Sequence, residues 1–286
     1  MPELPEVETI RNDLREHVID LPITDVEVRR DSMVRGDTTA FISVLRNNRI
    51  CVIDRVGKLI ICKLGDTDRY LLIHLKMTGQ LIYVREGELI AGGHTEPPIE
   101  EQMPNRFSYV IVSFADGSTL YFNDMRTFGY MDIVDGSEKY RIVKQFGIEP
   151  LTEQFTFDAF RTLFHDRKTS VKALLLNQRH IAGIGNIYAD EICFAAGIRP
   201  DRKSESLTEV ELEMLYRKTD EIIARAVEER GTTFNSYRDP KGRKGNFLKH
   251  LKVYGRAGSL CITCGTALTR TKIAGRGTVY CSRCQS

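Results

Sequence analysis

The amino-acid sequence predicts an α+β multidomain protein: a strand-rich N-terminal half, a helical segment after it, and a metal-binding hairpin at the C-terminus. Three observations carry this reading. Eight short β-type runs crowd residues 23–134, residues 155–229 turn to helical periodicity, and four cysteines stand as Cys261-x2-Cys264-x16-Cys281-x2-Cys284. A chain of 286 residues suggests about two domains and is long enough to bury a core without disulfides.

The first element is a helix over 5–19. Pro5 stands near its start, acids fill the first turn, and Val7, Ile10, Leu14 and Val18 recur at helical spacing. From residue 23 the texture changes to TDVEVRR, RICVIDRV, KLIICKL, RYLLIHL, GQLIYV, FSYVIVSF, STLYF and GYMDIV. Asp116-Gly117 is a hairpin signal between two of these runs. Many short strands with close turns predict an antiparallel sandwich or barrel. Residues 86–106 contain Gly-Gly, Pro-Pro and few apolar side chains, so a loop is expected there.

The pattern breaks at 135–152, where an interdomain linker is placed. Helical periodicity then runs to 229 and ends in the long segment 207–229. Thr208 caps that segment, Glu211 completes a capping box, and Gly231 follows its end. Residues 231–250 are rich in glycine and basic residues with little periodicity, as expected of a flexible loop.

Membrane and secretory classes are excluded at this stage. No apolar run approaches the roughly 18 residues of a membrane helix, and MPELPEVETI places acids where a signal peptide carries basic and then apolar residues. A cytoplasmic protein is expected. The net charge of +2 hides an asymmetry: residues 230–286 hold twelve Lys/Arg against one acid, Asp239, and the rest of the chain holds 29 against 38. A basic block on an acidic chain suits a polyanionic partner, though a solvated basic face has the same composition.

Seven cysteines in a chain without secretory features do not make a disulfide framework. Cys51, Cys62 and Cys193 lie in apolar contexts and read as core thiols. Cys261, Cys264, Cys281 and Cys284 have the spacing of a four-thiolate zinc site, with a β-hairpin between the pairs. With no position left for water, that zinc is structural.

The N-terminus reads Met1-Pro2-Glu3. Once Met1 is removed, Pro2 presents a secondary amine whose pKa is near 8, far below that of lysine. Its attack on a sugar or carbonyl carbon gives an iminium that cannot lose a proton from nitrogen and so remains an electron sink until hydrolysed. Glu3 beside it is placed for acid–base work. Lys58 follows Gly57 between apolar runs; His74-Leu75-Lys76-Met77-Thr78-Gly79 and Asp124-Met125-Arg126-Thr127-Phe128-Gly129 leave strands. Arg126 and Phe128, two apart, suit a wedge in a base stack as well as ordinary packing. Gly183-Ile184-Gly185-Asn186 lacks a preceding strand and is no dinucleotide fingerprint, but a glycine turn opening a helix can present N–H groups to a phosphate.

Taken together these residues resemble the formamidopyrimidine-DNA glycosylases. The resemblance spans essentially the whole chain. It rests on PELPEVET at the start, GK at 57–58, HLKMTG at 74–79, DxRxFG at 124–129, GIGNIYADE at 183–191 and GRGTVYC-x2-CQ at the end. It implies an N-terminal antiparallel β-sandwich with a flanking helix (1–134), a linker (135–152) and a helical domain with a helix–two-turn–helix element (153–230). A flexible lesion-capping loop and connector (231–250) and a zinc finger with one structural Zn2+ (251–286) would follow, with damaged double-stranded DNA in the cleft between.

The implied function is base excision repair: a bifunctional DNA glycosylase/AP lyase that removes 8-oxoguanine and formamidopyrimidines and then cleaves the strand by β,δ-elimination. Pro2 would be the Schiff-base nucleophile, Glu3 the proton donor, Lys58 the β-elimination residue and a phosphate contact, and Arg276 its δ-elimination counterpart. Met77, Arg126 and Phe128 would fill the gap left by the flipped base. His74, Arg167, Asn186 and Tyr254 would contact DNA, and Lys172 would help recognise the base. The resemblance further implies a monomer in the bacterial cytoplasm, nucleoid-associated through DNA, with no membrane and no obligate protein partner.

Some positions depart from the family pattern. Arg106-Phe107-Ser108-Tyr109 stands where many members have Lys-His-x-His, Val56 precedes GK where a basic residue is common, and Ser282 replaces a frequent proline. The sister branch, endonuclease VIII-like enzymes, shares the Pro2/Glu3 chemistry but prefers oxidised pyrimidines; the PELPEVET start and the Met77/Arg126/Phe128 trio favour the purine-acting branch. A zinc-ribbon DNA-binding module without activity would have lost Pro2, Glu3 or Lys58, and all three are present.

Overall fold

In the computed structural model, residues 1–86, 88–94, 103–165, 167–232 and 246–286 are described. Two compact units result: Met1–Lys144 with Glu229–Asn246, and Gln145–Glu228 with Phe247–Ser286.

The first unit opens with helix α1 (Leu4–His17), which has proline in its first turn and Arg15 and His17 in its last, where they favour the negative end of the helix dipole. Strands β1 (Ile23–Val28), β2 (Ile50–Val56), β3 (Leu59–Leu64), β4 (Arg69–His74), β5 (Gly79–Arg85), β6 (Glu88–Gly93), β7 (Ser108–Phe114), β8 (Thr119–Asp124) and β9 (Tyr130–Asp135) follow, with helix α2 (Thr38–Leu45) between β1 and β2. They form two antiparallel sheets, β1-β7-β8-β5-β6 and β2-β3-β4-β9. Alternate residues of both sheets make one core. Ile60, Cys62 and Leu64 of β3 and Leu71 and Ile73 of β4 join Leu81 and Tyr83 of β5, Val110 and Val112 of β7, and Leu120 and Phe122 of β8. The sandwich is therefore realised, rather than a barrel.

Three local expectations are corrected. The stretch read as a loop from 86 contains β6, an edge strand paired with β5 from Gln80↔Gly93 to Arg85↔Glu88. Its two glycines hide the strand period, but both are required: a Cβ on Gly92 would come within 2.2 Å of Ile10 Cγ1 where α1 packs on this edge, and one on Gly93, at φ 126°, within 2.3 Å of Gly79 O. Residues 95–102 of the expected loop lie outside the described residues. Within the strand-rich region, α2 is helical because Asp37 caps it, accepting from Ala40 N at 2.7 Å, while Phe41 and Leu45 bury one face. The expected linker begins as helix α3 (Gly136–Val143), capped by Asp135. Of the three cysteines read as core thiols, Cys62 and Cys193 are buried, while Cys51 is half-buried at the register shift between Ile50 and Val52.

Residues 229–232, expected to close the helical domain and start the loop, group with the first unit for a definite reason. One guanidinium nitrogen of Arg230 donates to both Asp13 carboxylate oxygens (2.6 and 2.8 Å), and Thr232 donates to Glu6 from both N–H and hydroxyl (2.8 and 3.0 Å). Residues 233–245, most of the expected lesion-capping loop, lie outside the described residues.

The second unit contains α4 (Phe157–Phe164), α5 (Val171–Leu176), α6 (Asn186–Ala195), α7 (Glu209–Glu228) and the hairpin β10 (Thr269–Ile273) and β11 (Arg276–Tyr280). Thr208 and Glu211 form the expected capping box at α7: Glu211 N donates to Thr208 Oγ1 (3.3 Å) and Thr208 N to Glu211 Oε2 (2.8 Å). Between α5 and α6 the chain makes the two turns of a helix–two-turn–helix. Gln178 staples them, its Nε2 donating to Ile184 O (2.8 Å) and its Oε1 accepting from Gly183 N (2.9 Å). Among the described residues, no helix is long and apolar enough to cross a membrane.

Candidate functional site

In the first unit, Pro2 and Glu3 are buried at the start of α1, Glu3 being 1% exposed. The capping box is made of carboxylates: Glu3 N donates to Glu6 Oε2 at 2.9 Å. Glu6 uses its other oxygen on Thr232, so one buried acid fixes the start of α1 and the chain at 232 together. The α-amino group of Met1 has its pKa lowered by burial; Glu3 and Glu6 oppose that shift and Lys58 adds to it.

Lys58 occupies the two-residue turn from β2 to β3, opposite Gly57 at φ 54°. It is 6% exposed, unusual for a lysine. Next to this turn, Arg55 pairs with Glu8 of α1 at 2.5 Å and donates to Gly57 O at 3.4 Å, tying the turn to the helix.

His74, at the end of β4, has its pKa pushed down to about 3 by burial, with Lys76, Lys58 and Arg35 adding to the effect. Its Nδ1 accepts from Lys76 N at 3.0 Å, which leaves the proton of the neutral ring on Nε2 as a donor. Tyr130 lies 5.7 Å from the ring, with the Arg35 guanidinium 3.4 Å from the Tyr130 centroid. Because the folded protein holds this imidazole neutral and the unfolded chain does not, stability is complete above pH 6.5 and falls as pH drops toward about 3. His74→Gln is expected to flatten that part of a melting-temperature profile; an unchanged profile would show that His74 is not the group responsible.

Met77 is half-buried and Arg126 and Phe128 are exposed, Phe128 by 53%, with the Arg126 guanidinium 4.6 Å from the Phe128 ring centroid. The loops that carry them leave adjacent ends of β5 and β8, where Gly79 pairs with Asp124. Arg106 and Phe107 pack locally: the Arg106 guanidinium lies 4.7 Å over the Phe107 ring, and Phe107 O accepts from Asp124 N at 3.1 Å.

In the second unit, the four cysteine sulfurs lie within 4.8 Å of one another, with Cys261–Cys284 at 3.9 Å and Cys264–Cys281 at 3.5 Å. A tetrahedral Zn–S bond of 2.3 Å requires sulfurs about 3.8 Å apart, so the cluster can hold one zinc ion. The β10–β11 turn has positive φ at both Ala274 (49°) and Gly275 (74°), the requirement of a tight two-residue hairpin, and it places Arg276 exposed at the tip.

Asn186 opens α6 and donates from Nδ2 to Gly277 O at 3.0 Å, next to Arg276. Tyr254 is set by Glu191, whose buried carboxylate accepts from the N–H groups of Lys252, Val253 and Tyr254 at 2.8–2.9 Å. Arg167 is exposed, with NH1 3.4 Å from His180 Nε2.

Lys172 is not placed as expected. It is fully buried and its ammonium is directed to Asp190 Oδ1 (2.6 Å), Thr278 Oγ1 (2.8 Å) and Gly277 O (3.3 Å). Three acceptors use all three of its N–H bonds, so Lys172 anchors the zinc hairpin to α5 and α6 and has no donor left for a base. Burial pushes Asp190 up to about 6 against the pull of Lys172. The residues overlooked in the sequence are of one kind: Glu6, Asp124, Asp190 and Glu191, buried acids that hold backbone or lysine beside the site. Their only sequence signal is an acid inside an otherwise apolar or motif-bearing stretch.

Three family profiles match in chain order. They are the formamidopyrimidine-DNA glycosylase N-terminal domain over residues 1–131, the formamidopyrimidine-DNA glycosylase H2TH domain over 146–237, and the zinc finger found in FPG and IleRS over 258–286. A formamidopyrimidine-DNA glycosylase of Syntrophomonas wolfei is 40% identical over 285 residues, covering all of both chains. Lactococcus lactis Fpg in complex with abasic-site DNA superposes with a TM-score of 0.86 at 31% identity over 99% of each chain. The wild-type Lactococcus lactis enzyme with N7-benzyl-Fapy-dG DNA gives 0.86 at 31% identity over both whole chains.

Proposed function

The chain belongs to the formamidopyrimidine-DNA glycosylase family, and from that premise we propose that it excises oxidised purines from duplex DNA through the Pro2 amine and then cleaves the strand. The observation that supports this best is the burial of Pro2, Glu3 and Lys58, an imino acid next to the chain start, an acid and a lysine, all within the first unit. An enzyme attacking C1′ must first extrude the nucleotide, at a cost of about a few kcal/mol. Met77, Arg126 and Phe128 offset that cost by filling the vacated stack, with Arg126 facing the orphaned base.

The Pro2 nitrogen forms a bond to C1′ as the C1′–base bond breaks. The base leaves with that electron pair and a proton, and Glu3 is the acid beside the reaction. The nitrogen lone pair then expels O4′ from C1′, the sugar oxygen taking up a proton as the ring opens, and the open-chain iminium draws electrons from C2′ as a proton leaves there, expelling the 3′ phosphate; a second elimination expels the 5′ phosphate, and water releases the sugar fragment from Pro2. Lys58 assists the first elimination and Arg276 the second, each also contacting phosphate. His74, Arg167, Asn186 and Tyr254 complete the contacts. Zinc, when bound, supplies rigidity to the hairpin that carries Arg276.

In this reading residues 1–134 form the catalytic domain, 153–230 the helix–two-turn–helix domain and 251–286 the zinc finger, with 135–152 and 231–250 as connectors. The protein works as a monomer in the cytoplasm on 8-oxoguanine and formamidopyrimidine lesions. Borohydride trapping on duplexes bearing 8-oxoguanine or thymine glycol tests the reading. An adduct on the 8-oxoguanine duplex mapped to Pro2 supports it, one confined to thymine glycol moves the specificity to oxidised pyrimidines, and no adduct on either overturns the chemistry. Arg276→Ala is expected to lower the slope of log affinity against log salt by roughly 1; an identical slope would place Arg276 away from phosphate.

A further inference from the structure

The side chain of Asp124 is fully buried at the end of β8, and all its partners are neutral donors from two different loops. Oδ1 accepts from the Thr78 hydroxyl and from Arg126 N (3.1 Å), and Oδ2 accepts from Gly129 N at 2.6 Å. The Thr78 hydroxyl also accepts from Arg126 N at 3.0 Å. The backbone on both sides is bent to allow this: Lys76 and Thr127 have φ of 50° and 55°. Gly129 must be glycine, since a Cβ there would lie 2.8 Å from Phe122 Cζ and 3.0 Å from Asp124 Oδ2.

We propose that Asp124, through Thr78, is a positioning residue that locks the Met77 loop and the Arg126/Phe128 loop into one rigid probe of the gap opposite an extruded nucleotide. Thr78 is the residue after Met77, and the Arg126 N–H is shared between the Thr78 hydroxyl and Asp124. A shift of either loop therefore breaks a contact of the other. A side-chain cap serving only its own turn would need the Arg126 and Gly129 donors alone; the bond to Thr78, 46 residues away in sequence, adds the coupling. Because a buried carboxylate left short of donors is unfavourable, the two loops hold one arrangement instead of sampling several. The consequence is selectivity: an Arg126 fixed relative to Met77 can distinguish the base it faces, whereas a mobile one cannot.

This rests on the assignment of Met77, Arg126 and Phe128 to the gap. The test is single-turnover excision of 8-oxoguanine opposite cytosine and opposite adenine by Thr78→Val, Thr78→Ser, Arg126→Ala and the Thr78→Val/Arg126→Ala double variant. Thr78→Val keeps the shape and removes the hydroxyl, so the cytosine-to-adenine ratio is expected to fall about tenfold, the size set by one hydrogen bond to a carboxylate. Thr78→Ser should restore the ratio, and the double variant should lose no more than Arg126→Ala alone. A wild-type ratio in Thr78→Val, alongside a reduced one in Arg126→Ala, overturns the coupling and leaves the gap assignment standing. A wild-type ratio in Arg126→Ala overturns that assignment, and the coupling with it.

Discussion

A residue left attached ahead of Pro2 is expected to abolish base excision and borohydride trapping, by roughly 10³-fold or more, while leaving DNA binding nearly intact. The reason is electronic. An extended chain turns the Pro2 nitrogen into an amide, whose lone pair is delocalised and cannot attack C1′. Pro2→Gly keeps an amine but a primary one, so its adduct can lose a proton from nitrogen and surrender the permanent positive charge that draws electrons through both eliminations. Its strand scission should suffer more than its affinity. Burial lowers the pKa of the Met1 α-amino group; Pro2 is buried next to it, and once Met1 is removed the same physical cause is expected to keep more of the Pro2 amine neutral near pH 7. Trapping with undiminished yield by the extended protein, or an adduct mapped to Lys58, would move the nucleophile elsewhere.

Loss of the metal centre should have the second large effect. Cys281→Ala, or treatment with a strong chelator, is expected to release zinc, unfold the hairpin and weaken DNA binding by more than about tenfold. Thiolate–zinc binding and local folding are one process, worth on the order of 10 kcal/mol in small zinc domains. Cys281 is fully buried among Phe194, Val253, Leu268 and Val279, and β11 also carries the Thr278 and Gly277 acceptors of Lys172. Losing the hairpin therefore strands the buried Lys172–Asp190 pair without its remaining partners, which is strongly unfavourable. The measurements are zinc stoichiometry, melting temperature and duplex affinity. Unchanged melting and affinity in Cys281→Ala would contradict a structural metal.

Much of this architecture is legible from local pattern. The strand runs from TDVEVRR to GYMDIV, the Thr208/Glu211 capping box and the Cys-x2-Cys pairs each depend on neighbours close in sequence, where propensity and spacing act directly. β6 is hidden in the sequence because Gly92 and Gly93 lower its strand signal; its pairing comes from β5, and its glycines from the approach of Ile10 and of the Gly79 backbone. α2 and α3 escaped because they are short, eight residues each, and owe their starts to the single caps Asp37 and Asp135. Lys172 illustrates the reverse error: the resemblance offered it as a base contact, but burial and three acceptors reserve it for the hairpin.

The sequence by itself determined the fold class and the four zinc ligands, because those follow from residue type at fixed spacing, and it singled out Pro2 and Glu3 by their chemistry at the chain start; Lys58 and Arg276 were named through the family resemblance. Only the tertiary structure decided what the buried acids do. Glu6 reaches Thr232, Asp124 reaches Thr78, Asp190 reaches Lys172, and Glu191 reaches the 252–254 backbone. These partners lie from 18 to 226 residues away in the chain. No periodicity links residues so far apart. A carboxylate becomes buried only where folding supplies donors for both of its oxygens, so its partners exist only once the fold does.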